Sequence, residues 1–414
     1  MQDKELFSQL LGLTKPWVVT EMKVDYAALR VDLWVAWPPK EKASCPECGE
    51  PRPIYDHREE RQWRHLDTMQ FQTILHSRIP RIECPTHGIK TISVPWAEER
   101  SRFTLLFERL AIDVLLGCQN QTKAGEILRL SWDEMHEIQE RAVMRGCSRR
   151  AEESVPSLGI DEKSFLKGHQ YVTIFTDIGR SRVIEVGKGR DKESAVAILA
   201  ALPTEQKQSI AAAVVDMWEA YIGAVETTLP DADIVHDKFH IVKRLGEAVD
   251  RVRKSENRVL VKEGETLLKG TKYVWLTSPT HWTPSQKETF RNLKQERLKT
   301  GRAWSIKEMF SSFWDYTYPK SAMTFFKKWY FWATHSRLKP MIAVARMLKR
   351  HLAHIITYLK HHVTNAVAEG INSKIQQIKS AARGFRSFDN FRVAILFYCG
   401  KLDMYPQKYP QNSR

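Results

Sequence analysis

Two sets of side chains in this sequence have types and spacing that chemistry can use. The first is Cys45-Pro-Glu-Cys48-Gly and Cys84-Pro-Thr-His87-Gly. Each string is a chelating pair with two residues between its ligands, and together they supply the three thiolates and one imidazole of a closed tetrahedral Zn²⁺ site. The competing reading is two unrelated pairs in a core. Such a zinc site is structural, because no coordination position stays open; His57 and His65 are spare imidazoles. The second set is acidic. Asp161 lies in Gly159-Ile160-Asp161-Glu162-Lys163, and Asp216 ends the small, apolar run Ala211 to Val215. Carboxylates at the ends of buried strands project where ligands gather, and two from adjacent strands can share a divalent cation. A lone Asp at a strand end is also common, as Asp177 and Asp191 illustrate. A third carboxylate must come from elsewhere, and after residue 350 only Glu369, Asp389 and Asp403 are acidic. Glu369 has Asn372, Ser373 and Gln376 on its side of a helix; periodicity leaves open whether that side meets solvent or a wet cleft.

These residues need elements to hold them. Residues 1 to 96 are rich in Pro, Trp and short alternating segments such as Gln72 to Ile82, which predict small β-strands carrying the zinc knuckles. Helical patterns follow from 97 to 150, where Ser131 and Glu134 make a capping box. Thr122 to Ala142 has the dimensions of a helix-turn-helix, but its second helix would present Asp133, Glu134, Glu137 and Glu140 to phosphate, so a packed helical connector is an equal reading. A polar linker (147 to 157) leads to three strand-like runs, a helix, a strand ending near Asp216, a helix and a last strand at 232 to 237. That order predicts an α/β layer. Residues 241 to 350 read as helical. A long amphipathic helix then carries Met341, Val344, Leu348, Leu352, Ile355 and Leu359, and another runs from Ala366 to Ala382 with Thr364 or Asn365 as its cap.

The charge is uneven. The net +15 separates into 33 basic and 39 acidic residues over 1–250, and 31 basic and 10 acidic over 251–414. A block this basic favours a polyanion or a solvated basic face. No apolar run reaches the roughly 18 residues that span a bilayer, and the N-terminus lacks a basic-then-apolar leader, so no membrane is expected and the predicted location is cytoplasmic. Six cysteines are too few for a disulfide scaffold.

The strings GIDEKSF, VVDMWEAY, DIVHDKFHIVK, NAVAEGINSKIQ and ARGFRSFDNFRVAILFYCG, in this order, resemble those of DDE transposases of bacterial insertion sequences, and among them the ISL-three family with its N-terminal zinc-binding region. The resemblance implies an α/β multidomain protein. Its parts are a zinc-binding β-rich domain (1–96), a helix-turn-helix-like domain (97–150), and an RNase H-like catalytic domain (151–240 and 351–414) interrupted by a basic, aromatic-rich all-α insertion (241–350). It also implies that Asp161, Asp216 and Glu369 are the catalytic triad, holding Mg²⁺ or Mn²⁺, and that Asp237 and His240 form the Asp-x-x-His element, where His240 orients a phosphate or protonates a leaving group. The implied partner is double-stranded DNA, both element ends and target, held by a dimer or larger assembly.

Within the insertion, Trp304 to Trp332 interleaves twelve aromatics with lysines, which suits phosphate contact and base stacking, or a helical core with a basic exterior. Candidate DNA contacts are Lys327, Lys328, Arg346, Lys349, Arg350, Lys374, Arg383 and Arg386. Rival functions are a zinc-containing DNA-binding regulator without catalysis and an RNase H-like branched-DNA nuclease.

Overall fold

Alternating residues from 54 to 84 build two strands much longer than the short ones expected. In the computed structural model, which describes residues 3–150, 153–166, 170–294 and 296–407, helix α1 (Asp3–Leu10) precedes β1 (Val18–Asp25), β2 (Arg30–Ala36), the short pair β3 (Ala43–Ser44) and β4 (Pro51–Arg52), then β5 (Ile54–Thr68), β6 (Phe71–Cys84) and β7 (Gly88–Thr91). The sheet runs β1-β2-β6-β5, with β7 on β6. Pro80 fits inside β6 because pairing with β2 covers only residues 72 to 76 and that with β7 only 81 to 84, which leaves the missing N–H at an open edge. Trp17, Trp63 and Trp96 fill the core edge to face, with Trp96 4.8 Å from Trp17 and 5.6 Å from Trp63.

Three capped helices complete this unit: α2 (Leu105–Cys118), α3 (Gln121–Leu128) and α4 (Trp132–Arg149), with Thr104, Asn120 and Ser131 as N-caps. The Ser131–Glu134 capping box forms as expected. Two of the four acids of α4 are occupied internally, Glu134 in that box and Glu137 on Arg102 and Arg141. Asp133 and Glu140 remain exposed. Of the expected linker, α4 takes 147 to 149, and residues 151 and 152 lie outside those described.

The chain forms two compact units, one from residues 1–150 and 402–414 and the other from 151–401. The expected closing segment 351–414 is therefore divided. Asp403 and Tyr405 offer their carbonyls to Arg149 at 3.0 and 2.8 Å, which ties the chain after 401 to α4.

In the second unit, β8 (Ser157–Leu166), β9 (Gln170–Asp177) and β10 (Arg182–Lys188) form an antiparallel meander. Helices α5 (Lys192–Ala201), α6 (Thr204–Ser209) and α7 (Glu219–Thr228) alternate with β11 (Ala212–Val215) and β12 (Asp233–His236). The sheet order is β10-β9-β8-β11-β12, with β11 parallel to both neighbours, so the expected strands gather into one sheet of an α/β layer. β11 is shorter than its apolar run but buried throughout, as a central parallel strand should be. Its residues alternate between two cores. Ala213 and Val215 join Leu158, Ile160, Leu199 and Val225 on one face, while Ala212 and Val214 pack with Val235, Tyr358 and Val363 on the other.

A helical region follows: α8 (Lys238–Lys262), α9 (Lys272–Leu276), α10 (Pro284–Lys294), α11 (Lys299–Ser311), α12 (Pro319–Thr334) and α13 (Lys339–Arg350). Five of its twelve clustered aromatics are buried, and five more are half-buried against the same core. The core reading therefore accounts for ten, and only Tyr318 and Phe331 are widely exposed.

The single long helix expected over 341 to 359 is three: α13, then α14 (Leu352–Ile356) and α15 (Tyr358–His361). The chain bends at His351 (φ −96°, ψ 12°), and Thr357 donates to the carbonyls of His354 and Ile234, drawing the segment onto β12. The apolar stripe survives, since Met341, Leu348, Ile355 and Leu359 stay in one core. Helix α16 (Ala366–Ala381) and α17 (Phe388–Cys399) close the unit, with Arg392 bidentate on Glu185 of β10 at 2.6 Å. Asn365 makes no side-chain cap on α16. Its Oδ1 instead abuts Gly159, where a Cβ would sit 2.8 Å from that oxygen and 3.1 Å from Thr176 Oγ1. Gly159→Ala should therefore push the start of α16 off β8 and lower stability by about 1–3 kcal/mol, read from urea unfolding; an unchanged midpoint would show that this approach is not tight.

Candidate active site and metal centre

The β6–β7 turn and the loop between β3 and β4 bring the two knuckles together. Cys45 Sγ lies 3.8 Å from His87 Nδ1, Cys84 Sγ 3.5 Å from the same nitrogen, and Cys48 Sγ 3.8 Å from Cys84 Sγ. All four ligand atoms lie within 4.8 Å of one another. Tetrahedral Zn–S bonds of ~2.3 Å require S···S separations of about 3.8 Å, so the donor set fits zinc in kind and spacing. Backbone N–H groups of Thr86 and His87 hold the Cys84 thiol down to about 6, ready as a thiolate. His57 and His65 take no part; His65 is buried with Nδ1 2.9 Å from Thr104 Oγ1.

In the second unit, strand alternation and register place the acids. Ile160 pairs with Val215, so Asp161 and Asp216 each follow the last parallel pair of β8 and β11. Leu158 and Ile160 face the α5–α7 core, which turns Gly159 and Asp161 toward the opposite face. Asp161 and Asp216 line one cavity of 380 Å³ with Glu162, Arg190, Trp218, Tyr221, His240, Lys243 and Arg244. Its floor is acidic and its rim basic.

Each acid is held. Asp161 accepts from the Glu162 N–H at 2.8 Å and from Asn372 Nδ2 at 2.6 Å. Asp216 accepts from the Met217 N–H at 2.6 Å, and its Oδ1 lies 3.0 Å from His240 Nδ1, off-line for a hydrogen bond but within ion-pair reach. Burial works to raise the Asp216 carboxyl, but His240 and the Met217 N–H outweigh it and leave it lowered. The same contact with Asp216 raises His240. Asp237 is buried and raised by desolvation, and it caps α8 through the Phe239 N–H at 3.2 Å.

Glu369 is exposed in the first turn of α16. One turn on, Asn372 reaches Asp161, while Lys163 Nζ donates to the Asn372 carbonyl at 3.2 Å and Lys379 Nζ to that of Ser164 at 3.0 Å. α16 is thus fixed along β8 on the side carrying Asp161. Among the described residues, only the Cys₃His set has its ligand atoms gathered within 4.8 Å; Asp161, Asp216 and Glu369 are not drawn together that tightly.

Sequence reasoning missed Asn372 as a partner of Asp161, although it lies one turn from Glu369. It also missed the rim residues Arg190 and Arg244, which lie in no quoted motif, and Lys243, which ends the string DIVHDKFHIVK without being singled out. Of the expected DNA contacts, Lys327, Lys328, Arg346, Lys349 and Arg350 are exposed on α12 and α13. Arg383 and Arg386 are exposed between α16 and α17, whereas Lys374 spends its ammonium on the Tyr398 carbonyl at 2.5 Å.

Residues 158–395, which hold both aspartates, Glu369 and the insertion, match the transposase model of family ISL3. The chain belongs to the ISL3 family of transposases. In this ISL3 member, residues 41–87 match the zinc finger of the transposases of IS204, IS1001, IS1096 and IS1165, and residues 92–143 the family's helix-turn-helix domain. That decides between the helix-turn-helix and the connector, and marks a DNA-binding protein. The chain is 26% identical over 417 residues to the transposase for insertion sequence element IS1557 of Mycobacterium tuberculosis, covering 94% of this chain and 93% of the relative. It is 28% identical over 359 residues to that for IS1001 of Bordetella parapertussis, covering 85% and 87%. No helix of the described residues is long and apolar enough to cross a membrane.

The His240–Asp216 pair has a pH signature in metal-free protein. His240 is raised above 6.5, so its stabilisation is full below that value and is lost as pH climbs through the raised one. Asp216 is lowered below 3.8, so its share is present above 3.8 and is lost as pH falls through the lowered value. The stability difference between wild type and His240→Gln should be largest near pH ~5 to 6 and shrink toward pH ~8. A difference flat across that range in urea melts refutes the pairing.

Proposed function

We propose that this transposase binds the terminal inverted repeats of an insertion sequence, cleaves DNA at the element's ends and joins those ends to target DNA. The chemistry is assigned to Asp161, Asp216 and Glu369. The observation that carries the reading is the pairing of Asp161 and Asp216 on adjacent parallel strands, at the floor of a cavity with a basic rim. The carboxylates are hard oxygen donors suited to Mg²⁺ or Mn²⁺, with Glu369 supplied by the fixed helix α16. Bound divalent cations supply charge neutralisation at the phosphate and ease deprotonation of the attacking oxygen.

The chain's own groups do the rest. Arg190, Lys243 and Arg244 meet the phosphates on either side of the scissile one. Water attacks phosphorus, the 3′ oxygen leaves, and His240, 3.0 Å from Asp216 and raised by it, donates the proton that the leaving oxygen takes. The freed 3′-hydroxyl attacks a target phosphodiester in the same cavity, so the joining step breaks one P–O bond for each it forms. Asp237 orients the start of α8 and so His240. The basic faces of α12 and α13 hold flanking DNA, and joining two ends calls for at least two protomers on DNA.

Alanine at Asp161, Asp216 or Glu369 should abolish cleavage and strand transfer of inverted-repeat DNA in Mg²⁺ while gel-shift affinity stays near wild type. Normal cleavage by any one variant removes that residue from the assignment. Strand-transfer products separate a transposase from a nuclease, and Mg²⁺-dependent nicking separates it from a regulator.

Zn²⁺ held by Cys45, Cys48, Cys84 and His87 is proposed as structural. Purified protein should carry one zinc per chain, and Cys84→Ser should lose it and melt the first unit early, while a Gly159→Ala protein keeps its zinc. Full zinc content in Cys84→Ser would contradict the ligand set.

A further inference from the structure

One wall of the catalytic cavity is an aromatic surface that the chemistry above leaves unused. Trp218 stands two residues beyond Asp216, lines the cavity and is 48% exposed. Packing does not require it there, because α7 makes its core contacts through Tyr221, Ile222, Ala224 and Val225. Its ring is nevertheless fixed. The indole N–H donates to the Arg190 carbonyl at 3.3 Å, and the Arg190 guanidinium lies 5.5 Å from the Trp218 ring and 4.2 Å from that of Tyr171. Glu162 holds the guanidinium from the side at 3.2 Å. The result is a ladder of Tyr171, Arg190 and Trp218 whose last rung has an open face.

An exposed, oriented indole beside the basic rim of this cavity is matched to a ligand that is anionic at one end and flat at the other. A nucleotide of the DNA strand in the cavity is such a ligand. Paired bases have both faces covered within the duplex, so the ring can engage only a base that has left the stack. We propose that Trp218, backed by Arg190, is a stacking platform for one unpaired nucleobase next to the phosphodiester held at Asp161 and Asp216. Stacking tolerates any base, so the platform sets strand geometry rather than sequence. Arg190 is a positioning residue: it orients the ring and contacts the neighbouring phosphate. This inference rests on the reading of Asp161 and Asp216 as the cleavage site.

The test removes the ring and the base separately and together. Full-length wild type, Trp218→Ala and Trp218→Phe are compared on inverted-repeat duplexes that are either intact or abasic at single positions along each strand around the cleavage point. On intact DNA, Trp218→Ala should cleave about 5- to 150-fold more slowly, the range expected for losing one base–aromatic stack, and Trp218→Phe should recover most of the rate. At one abasic position the two proteins should converge, because a base that is absent has nothing to lose from an absent ring. A Trp218→Ala defect of the same size at every position, or no defect on intact DNA, overturns the platform; the latter result also fits a ring that serves a protein partner. Asp161→Ala, run in parallel, tells the two ideas apart. If it still cleaves, the site itself is misassigned; if it is inactive and convergence is absent, only the platform fails. Melting temperature checks that Trp218→Ala is folded, as a half-exposed residue permits.

Discussion

Two carboxylates at the ends of neighbouring parallel strands repel each other, and much of the second unit serves to make that arrangement tolerable. A hydrogen bond to a charged group returns about 1.5–3 kcal/mol, and each aspartate has a backbone N–H plus a side-chain donor or cation beside it. Most of those partners come from distant sequence: Asn372 from α16 and His240 from α8. The fold has to bring its last helices back across the sheet before its first strand can carry Asp161 in this setting, which explains why β8 is laced to α16 by Lys163, Asn372 and Lys379 together.

The same constraint orders the charge along the chain. The acidic floor is supplied by the part of the sequence with excess acid, and the part with 31 basic and 10 acidic residues supplies the insertion and the closing helices. Glu369 is a rare acid in that basic part, and it sits in the first turn of its helix, where the helix dipole favours a carboxylate. Its exposure leaves it free to turn while α16 itself is fixed. The insertion's aromatics build a core, so in the function proposed above the surface it offers DNA is the basic exterior of α12 and α13.

What was legible in the sequence is what local rules dictate. Cys-x-x-Cys and Cys-x-x-His spacing gave the zinc centre, the Ser131–Glu134 pattern gave a helix start, and strand and helix order gave the sheet. Asp161 and Asp216 were legible because an acid that ends an apolar run conflicts with its surroundings. The misses are tertiary. Nothing local in Met341 to Leu359 reports the bend at His351, since the apolar period runs through it; the bend exists because Thr357 is drawn to Ile234 on a strand more than a hundred residues earlier. The acids of α4 read as a repulsive face because Arg102, a partner from outside the helix that periodicity does not assign, joins the i+4 neighbour Arg141 on Glu137.

Asn372 shows why the remainder is invisible one residue at a time. On a helical wheel it is an unremarkable polar residue beside Glu369. In the fold its amide bonds the carboxylate of a strand more than two hundred residues earlier, and its own Oδ1 is left buried without a partner. A buried orphan oxygen costs free energy, and it is tolerated here because the same side chain offsets charge on Asp161. If Asp161 held a divalent cation as proposed, the Asn372 amide would lie beside it, with its Oδ1 unclaimed by any protein donor. The local rules that made the zinc centre legible, with every ligand satisfied within two short knuckles, do not apply to a site assembled this way.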